Sequence, residues 1–159
     1  MQSHGARNAN YILAGIIELD DGYMGGPGRS GNRGRCTDKP TIVIALSKTE
    51  NDTLFTRMKV VDDLKTKTLQ DFTNIFLRNG THIECGSYHS YLGSTGVNCT
   101  SMKYDAVNGD LKWLHRAISN LGGVLNGTYH GRYAQLQTYL DELFSRLVRA
   151  VATSCALLS

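Results

Sequence analysis

The chain has 159 residues, enough for one domain with a core of its own. Hydrophobic content of 41%, charged content of 19% and a net charge of +3 describe a mildly basic globular domain, which permits a nucleic-acid partner without requiring one. The four cysteines, Cys36, Cys85, Cys99 and Cys155, form no Cys-x-x-Cys pair, which argues against a zinc ribbon or knuckle, and the uncharged stretch Ala150 to Ser159 is far too short to span a bilayer.

The polar start Met1-Gln2-Ser3-His4-Gly5 lacks the apolar stretch of a signal peptide. A cytoplasmic location with reduced thiols is therefore expected, and the N-x-T triplets at Asn51, Asn79, Asn98 and Asn126 then carry no glycosylation meaning. Residues 1–12 read as a polar lead-in, 13–149 as one domain and 150–159 as a tail. Tyr11 to Leu19 predicts the first strand, clearest over Ile16 to Asp20, and it runs into two carboxylates, Asp20 and Asp21. Behind them Gly25, Gly26, Gly28, Gly31 and Gly34 predict a loop, charged by Arg29, Arg33, Arg35 and Lys39. Carboxylates at a strand end suit hard metal ions, and a basic loop beside them attracts phosphate. A plain solvated loop explains the arginines equally well on composition alone.

Thr41 to Leu46 is a continuous apolar run, expected as a buried central strand. Ser47 to Thr53 reads as a hairpin connection and Leu54 to Val61 as a third strand, which completes an antiparallel meander. Asp62 or Asp63 can cap the following helix, which runs to about Arg78 and ends at Asn79-Gly80. Thr81 to Cys85 predicts a fourth strand, Ser87 to Leu92 a helical turn, and Val97 to Tyr104 a fifth strand. After a turn at Asn108-Gly109-Asp110, a helix is expected over Lys112 to Leu125, interrupted by Asn126-Gly127. Leu136, Tyr139, Leu140, Leu143, Phe144, Leu147, Val148 and Val151 recur at helical spacing and predict a long C-terminal helix over about Tyr133 to Ala152. The order predicts an α/β fold with a mixed five-stranded sheet flanked by helices, the pattern of RNase H-like domains.

Asp20 at its strand end can bind Mg²⁺, which takes oxygen ligands; an ordinary strand-ending Asp is the plain alternative. Asn120 is a poor residue for a helix interior, and its side-chain oxygen can complete a metal site or simply face solvent. His115, Arg116, His130 and Arg132 bracket the same helix and its break, which suits a phosphate backbone as well as scattered surface charge. Trp113 fits a core or interface position better than a base-stacking one. Glu84 and Cys85 close the fourth strand, with His82 and His89 nearby, so a Cys/His hydrolase is a weak third reading.

Three segments together resemble the transposase domain of small bacterial insertion sequences, in the RNase H-like DDE superfamily. Ile17-Glu18-Leu19-Asp20-Asp21-Gly22-Tyr23-Met24-Gly25-Gly26 is similar to that family's first catalytic strand. Ile83-Glu84-Cys85-Gly86-Ser87-Tyr88-His89-Ser90-Tyr91 resembles the second, where the family has Thr-Asp-Gly and then a Tyr. Leu114 to Leu121, continuing through Gly127-Thr128-Tyr129-His130-Gly131 to Leu136-Gln137-Thr138-Tyr139-Leu140-Asp141-Glu142, resembles the third, in a subgroup where Asn replaces the third Glu. The resemblance spans about Leu13 to Arg149.

It implies DNA cleavage and strand transfer with two Mg²⁺ (or Mn²⁺) ions, Asp20 bridging the metals and Asn120 as the third ligand. It also implies DNA as the partner, a homo-oligomer when active, and no membrane association. The chain also departs from the family's pattern. The family's second Asp falls on Cys85, a soft ligand poor for Mg²⁺. Glu84 is one residue away, and on a strand it points to the opposite face unless the strand has already ended. A Lys usual after the Ser-Asn-Leu match is Gly122, and an N-terminal DNA-binding module usual in such enzymes is not in this sequence. The expectation is a truncated transposase domain with weakened or lost strand transfer, and the rival is a non-catalytic DNA-binding or oligomerising remnant that modulates an intact transposase.

Overall fold

The computed structural model describes residues 12–24, 39–48, 55–86, 98–101, 111–128 and 135–143. Five strands form one sheet: β1 (Ile16–Tyr23), β2 (Thr41–Lys48), β3 (Phe55–Val61), β4 (His82–Cys85) and β5 (Asn98–Ser101), in the spatial order β3-β2-β1-β4-β5. β1 and β2 are antiparallel, as are β2 and β3, whereas β4 runs parallel to β1 and β5 parallel to β4. Only β2 therefore runs against the others. This is the expected mixed RNase H-like sheet, with β1 at its centre.

Strand alternation divides the core into two layers. Ile17 and Leu19 of β1 join Val43, Ala45, Ile83 and Cys85 on one face, covered by helix α1 (Thr66–Phe76) through Leu69 and Phe72. Ile42, Ile44, Leu46 and Met58 line the other face. Helix α2 (Lys112–Thr128) covers them through Leu114, Leu121 and Leu125, together with Leu136 and Leu140 of helix α3 (residues 136–143). β2 is apolar without alternation because it is buried on both sides: every residue from Ile42 to Ser47 is inaccessible. Helices thus flank the sheet on both faces.

Several sequence expectations are corrected. Neither Asp62 nor Asp63 is the N-cap of α1; Lys65 occupies that position without a side-chain cap. Asp63 instead folds back ahead of the helix, its carboxylate accepting from the Lys65 N–H and the Thr68 hydroxyl. α1 stops at Phe76, short of Asn79-Gly80, because Leu77 is drawn into an isolated parallel bridge with Leu13. The Leu13 N–H donates to the Phe76 carbonyl at 2.7 Å and the Arg78 N–H to the Leu13 carbonyl at 2.8 Å. Asn126-Gly127 does not interrupt α2, which continues to Thr128. Cys85 and Cys99 are not free thiols: parallel strands β4 and β5 bring their Cα atoms to 6.5 Å and a disulfide joins them.

The Gln137 side chain fastens α3 to the sheet edge. The Val60 N–H donates to Gln137 Oε1 at 2.9 Å, and Gln137 Nε2 donates to the Met58 carbonyl at 3.2 Å and to Asp141 Oδ1 at 3.0 Å. The rest of the expected C-terminal helix, the turn at Ser87 to Leu92 and the turn at Asn108 to Asp110 lie outside the described residues.

Candidate functional site

β1 alternates Ile17 and Leu19 toward α1 with Glu18, Asp20 and Gly22 toward α2. Its parallel neighbour β4 is in register Glu18↔Glu84 and Leu19↔Cys85. Glu84 therefore shares the face of Glu18 and Asp20, while Cys85 shares the face of Leu19. Cys85 is fully buried in the α1-side core and bonded to Cys99. The expected opposition of Glu84 and Cys85 holds, and it is Glu84 that lies on Asp20's side of the sheet.

Beyond Cys85 the chain meets Asp20 directly. The Gly86 N–H donates to the Leu19 carbonyl at 3.3 Å. A Cβ added at Gly86 would lie 2.6 Å from Asp20 Oδ1 and 3.1 Å from its carboxyl carbon, so only glycine leaves that carboxylate its place. Asp20 Oδ1 also accepts the Asp21 N–H at 2.9 Å.

α2 lies over this face with Ile118 close to Gly22 and Ile42, 3.6 Å from the point where a Gly22 Cβ would stand. His115 Nε2 is 3.9 Å from Asp20 Oδ2, both side chains being partly exposed. That separation is too long for a direct hydrogen bond and at the limit of an ion pair. Asn120 is exposed, and five residues at 100° each set it about 140° around the helix from His115. The structure therefore brings His115 to Asp20 and leaves Asn120 on another side of α2. Gly122, seven residues beyond His115, falls on nearly the same stripe as His115. Arg116 is exposed and Lys39 half-buried; Arg29, Arg33, Arg35, His130 and Arg132 lie outside the described residues.

The buried carboxylate of Glu18, which sequence reasoning passed over, belongs to the same arrangement. It is inaccessible to solvent, and its Oε2 accepts the Leu114 N–H at 2.9 Å. Leu111, just before α2, takes a φ of 52° with its side chain fully buried, so packing fixes the way the chain turns into this helix.

Two hard carboxylates, Asp20 and Glu84, share this face of the sheet. Asp20 offers a hard carboxylate, but its close neighbour is an imidazole, and the position of the family's second Asp is a disulfide sulfur on the other side of the sheet. Among the described residues no three His, Cys, Asp or Glu side chains are grouped to hold a metal. No helix of the described residues is long and apolar enough to cross a membrane. A family model described as the ISXO2-like transposase domain matches residues 12–147. No curated protein matches the chain.

Proposed function

The chain belongs to the ISXO2-like transposase domain family, and on that premise we propose that it engages DNA in transposition while its two-ion strand-cleaving chemistry is lost or strongly reduced. The observation that carries the second half is the fate of Cys85, buried in the α1-side core and bonded to Cys99 on the face opposite Asp20. In this reading Asp20 and His115 form the remaining polar face toward the DNA backbone. Arg116 and Lys39 add positive charge, as do Arg29, Arg33, Arg35, His130 and Arg132. Asn120, exposed on α2, is a DNA contact here rather than a metal ligand.

One observation favours a second reading. Glu84 stands on Asp20's face, so it can serve as a substitute second carboxylate and keep a nuclease alive with Mn²⁺ or Mg²⁺. A nicking assay on supercoiled DNA separates the two, run beside a gel-shift assay for binding. The expected result is salt-sensitive binding with no nicking above the level of Asp20→Ala. Nicking that disappears in both Asp20→Ala and Glu84→Gln would overturn the impaired reading in favour of the second. Failure to bind DNA at low salt would remove the first reading altogether.

A further inference from the structure

Glu18 is a charged residue in an apolar layer. Its direct partner across the β1–β2 ladder is Leu46, and Ile42 and Ile44 fill the rest of that face of β2. Packing alone would favour a hydrocarbon there, since a buried carboxylate is stable only with compensating hydrogen bonds. The compensation comes from α2. Leu114 is the third residue of that helix, so its N–H has no acceptor within the helix, and it donates to Glu18 Oε2 at 2.9 Å. The first turn of α2 carries no acidic residue of its own, and β1 supplies the carboxyl oxygen that meets this N–H at the helix end.

The placement of this bond gives it a consequence. Glu18 precedes Asp20 by two residues on the same face of one strand, and Leu114 adjoins His115 on one helix. A fixed Glu18–Leu114 contact therefore fixes the approach of His115 to Asp20. We propose that Glu18 is a positioning residue: it anchors the first turn of α2 to β1 and so holds His115 beside Asp20. The proposal deepens the reading above, in which Asp20 and His115 form the polar face toward DNA.

The test uses the full chain and reads the His115 ring by ¹H–¹⁵N NMR, assigned with His115→Gln. In the unaltered protein, Asp20→Asn is expected to shift the His115 ring resonances. The response is expected to persist in Glu18→Gln, which keeps an acceptor oxygen, and to be lost in Glu18→Met, which has similar length and no acceptor, while core methyl resonances stay dispersed. If Glu18→Met does not fold, Glu18→Asp, one methylene shorter, takes its place with the same expected loss. A full response in the folded Glu18→Met or Glu18→Asp protein overturns the proposal, and so does a His115 ring indifferent to Asp20→Asn in the unaltered protein. DNA binding is scored separately by gel shift, so failure of the DNA reading leaves this response unchanged and the two failures are told apart.

Discussion

Gly86 stands directly against the Asp20 carboxylate. A methyl group at this position would meet the Asp20 carboxylate at 2.6 Å, and that carboxylate is the end of a short side chain held by the Asp21 N–H. Gly86→Ala is expected to displace Asp20 rather than unfold the domain. The expected stability loss is about 1–2 kcal/mol in a denaturant melt, at the low end for an overpacked site, together with a changed His115 ring environment by NMR. An unchanged His115 spectrum in Gly86→Ala would count against the close approach of Gly86 and Asp20. Asp20 was readable from the sequence as a carboxylate following a local apolar run, although it is not at a strand end as expected: β1 continues through it to Tyr23, because Asp21, Gly22 and Tyr23 also pair with β2. His115 was not readable as its partner. The stripe of Leu114, Leu121 and Leu125 fixes which side of α2 faces the sheet, and His115 and Asn120 flank that stripe on opposite sides. Which flank meets Asp20 depends on how the helix lies across the strands, and sequence periodicity does not contain that.

At the level of elements, α2 carries an adjacent glycine pair in its interior. A Cβ at Gly122 or Gly123 would meet nothing within 4 Å. Gly122→Ala is expected to raise stability by up to about 1 kcal/mol, seen as a higher denaturation midpoint at unchanged slope. Gly122→Lys gains nearly as much and places a cation on the His115 stripe, so it should also tighten DNA binding at low salt. The Asp63 turn ahead of α1 makes a different prediction. The Thr68 hydroxyl first, and then the Lys65 N–H, hold its carboxyl below the ordinary Asp value. A carboxyl whose pKa is lowered by folding contributes stability that is full above its unfolded value and is lost as pH falls through the folded one. The midpoint of unfolding should therefore fall on acidification below about pH 4, and less steeply in Asp63→Asn. The strands were legible within a few residues because their apolar runs are local. The end of α1 was not, because the bridge of Leu77 to Leu13 joins segments far apart in sequence.

For the whole molecule, the Cys85–Cys99 disulfide spans a sequence separation of 14 and ties the end of β4 to β5 on the face of the sheet opposite Asp20. Constraining a loop of that length in the unfolded chain contributes about 3 kcal/mol. A thermal melt with dithiothreitol should show a clear fall in midpoint, and Cys99→Ser should match the reduced protein and no longer respond to reductant. The pairing was invisible in the sequence because spacing alone does not say that two short strands lie side by side. The carboxamide of Gln137 bears on a different property, the protein's behaviour in concentrated solution. β3 lies at one end of the sheet, and such a border exposes backbone groups to any passing extended chain. Gln137 engages the Val60 N–H and the Met58 carbonyl much as a neighbouring strand would. It acts as a molecular stopper, so Gln137→Leu should declare itself in light scattering, as self-association that grows with concentration, before any fall in melting temperature reveals it.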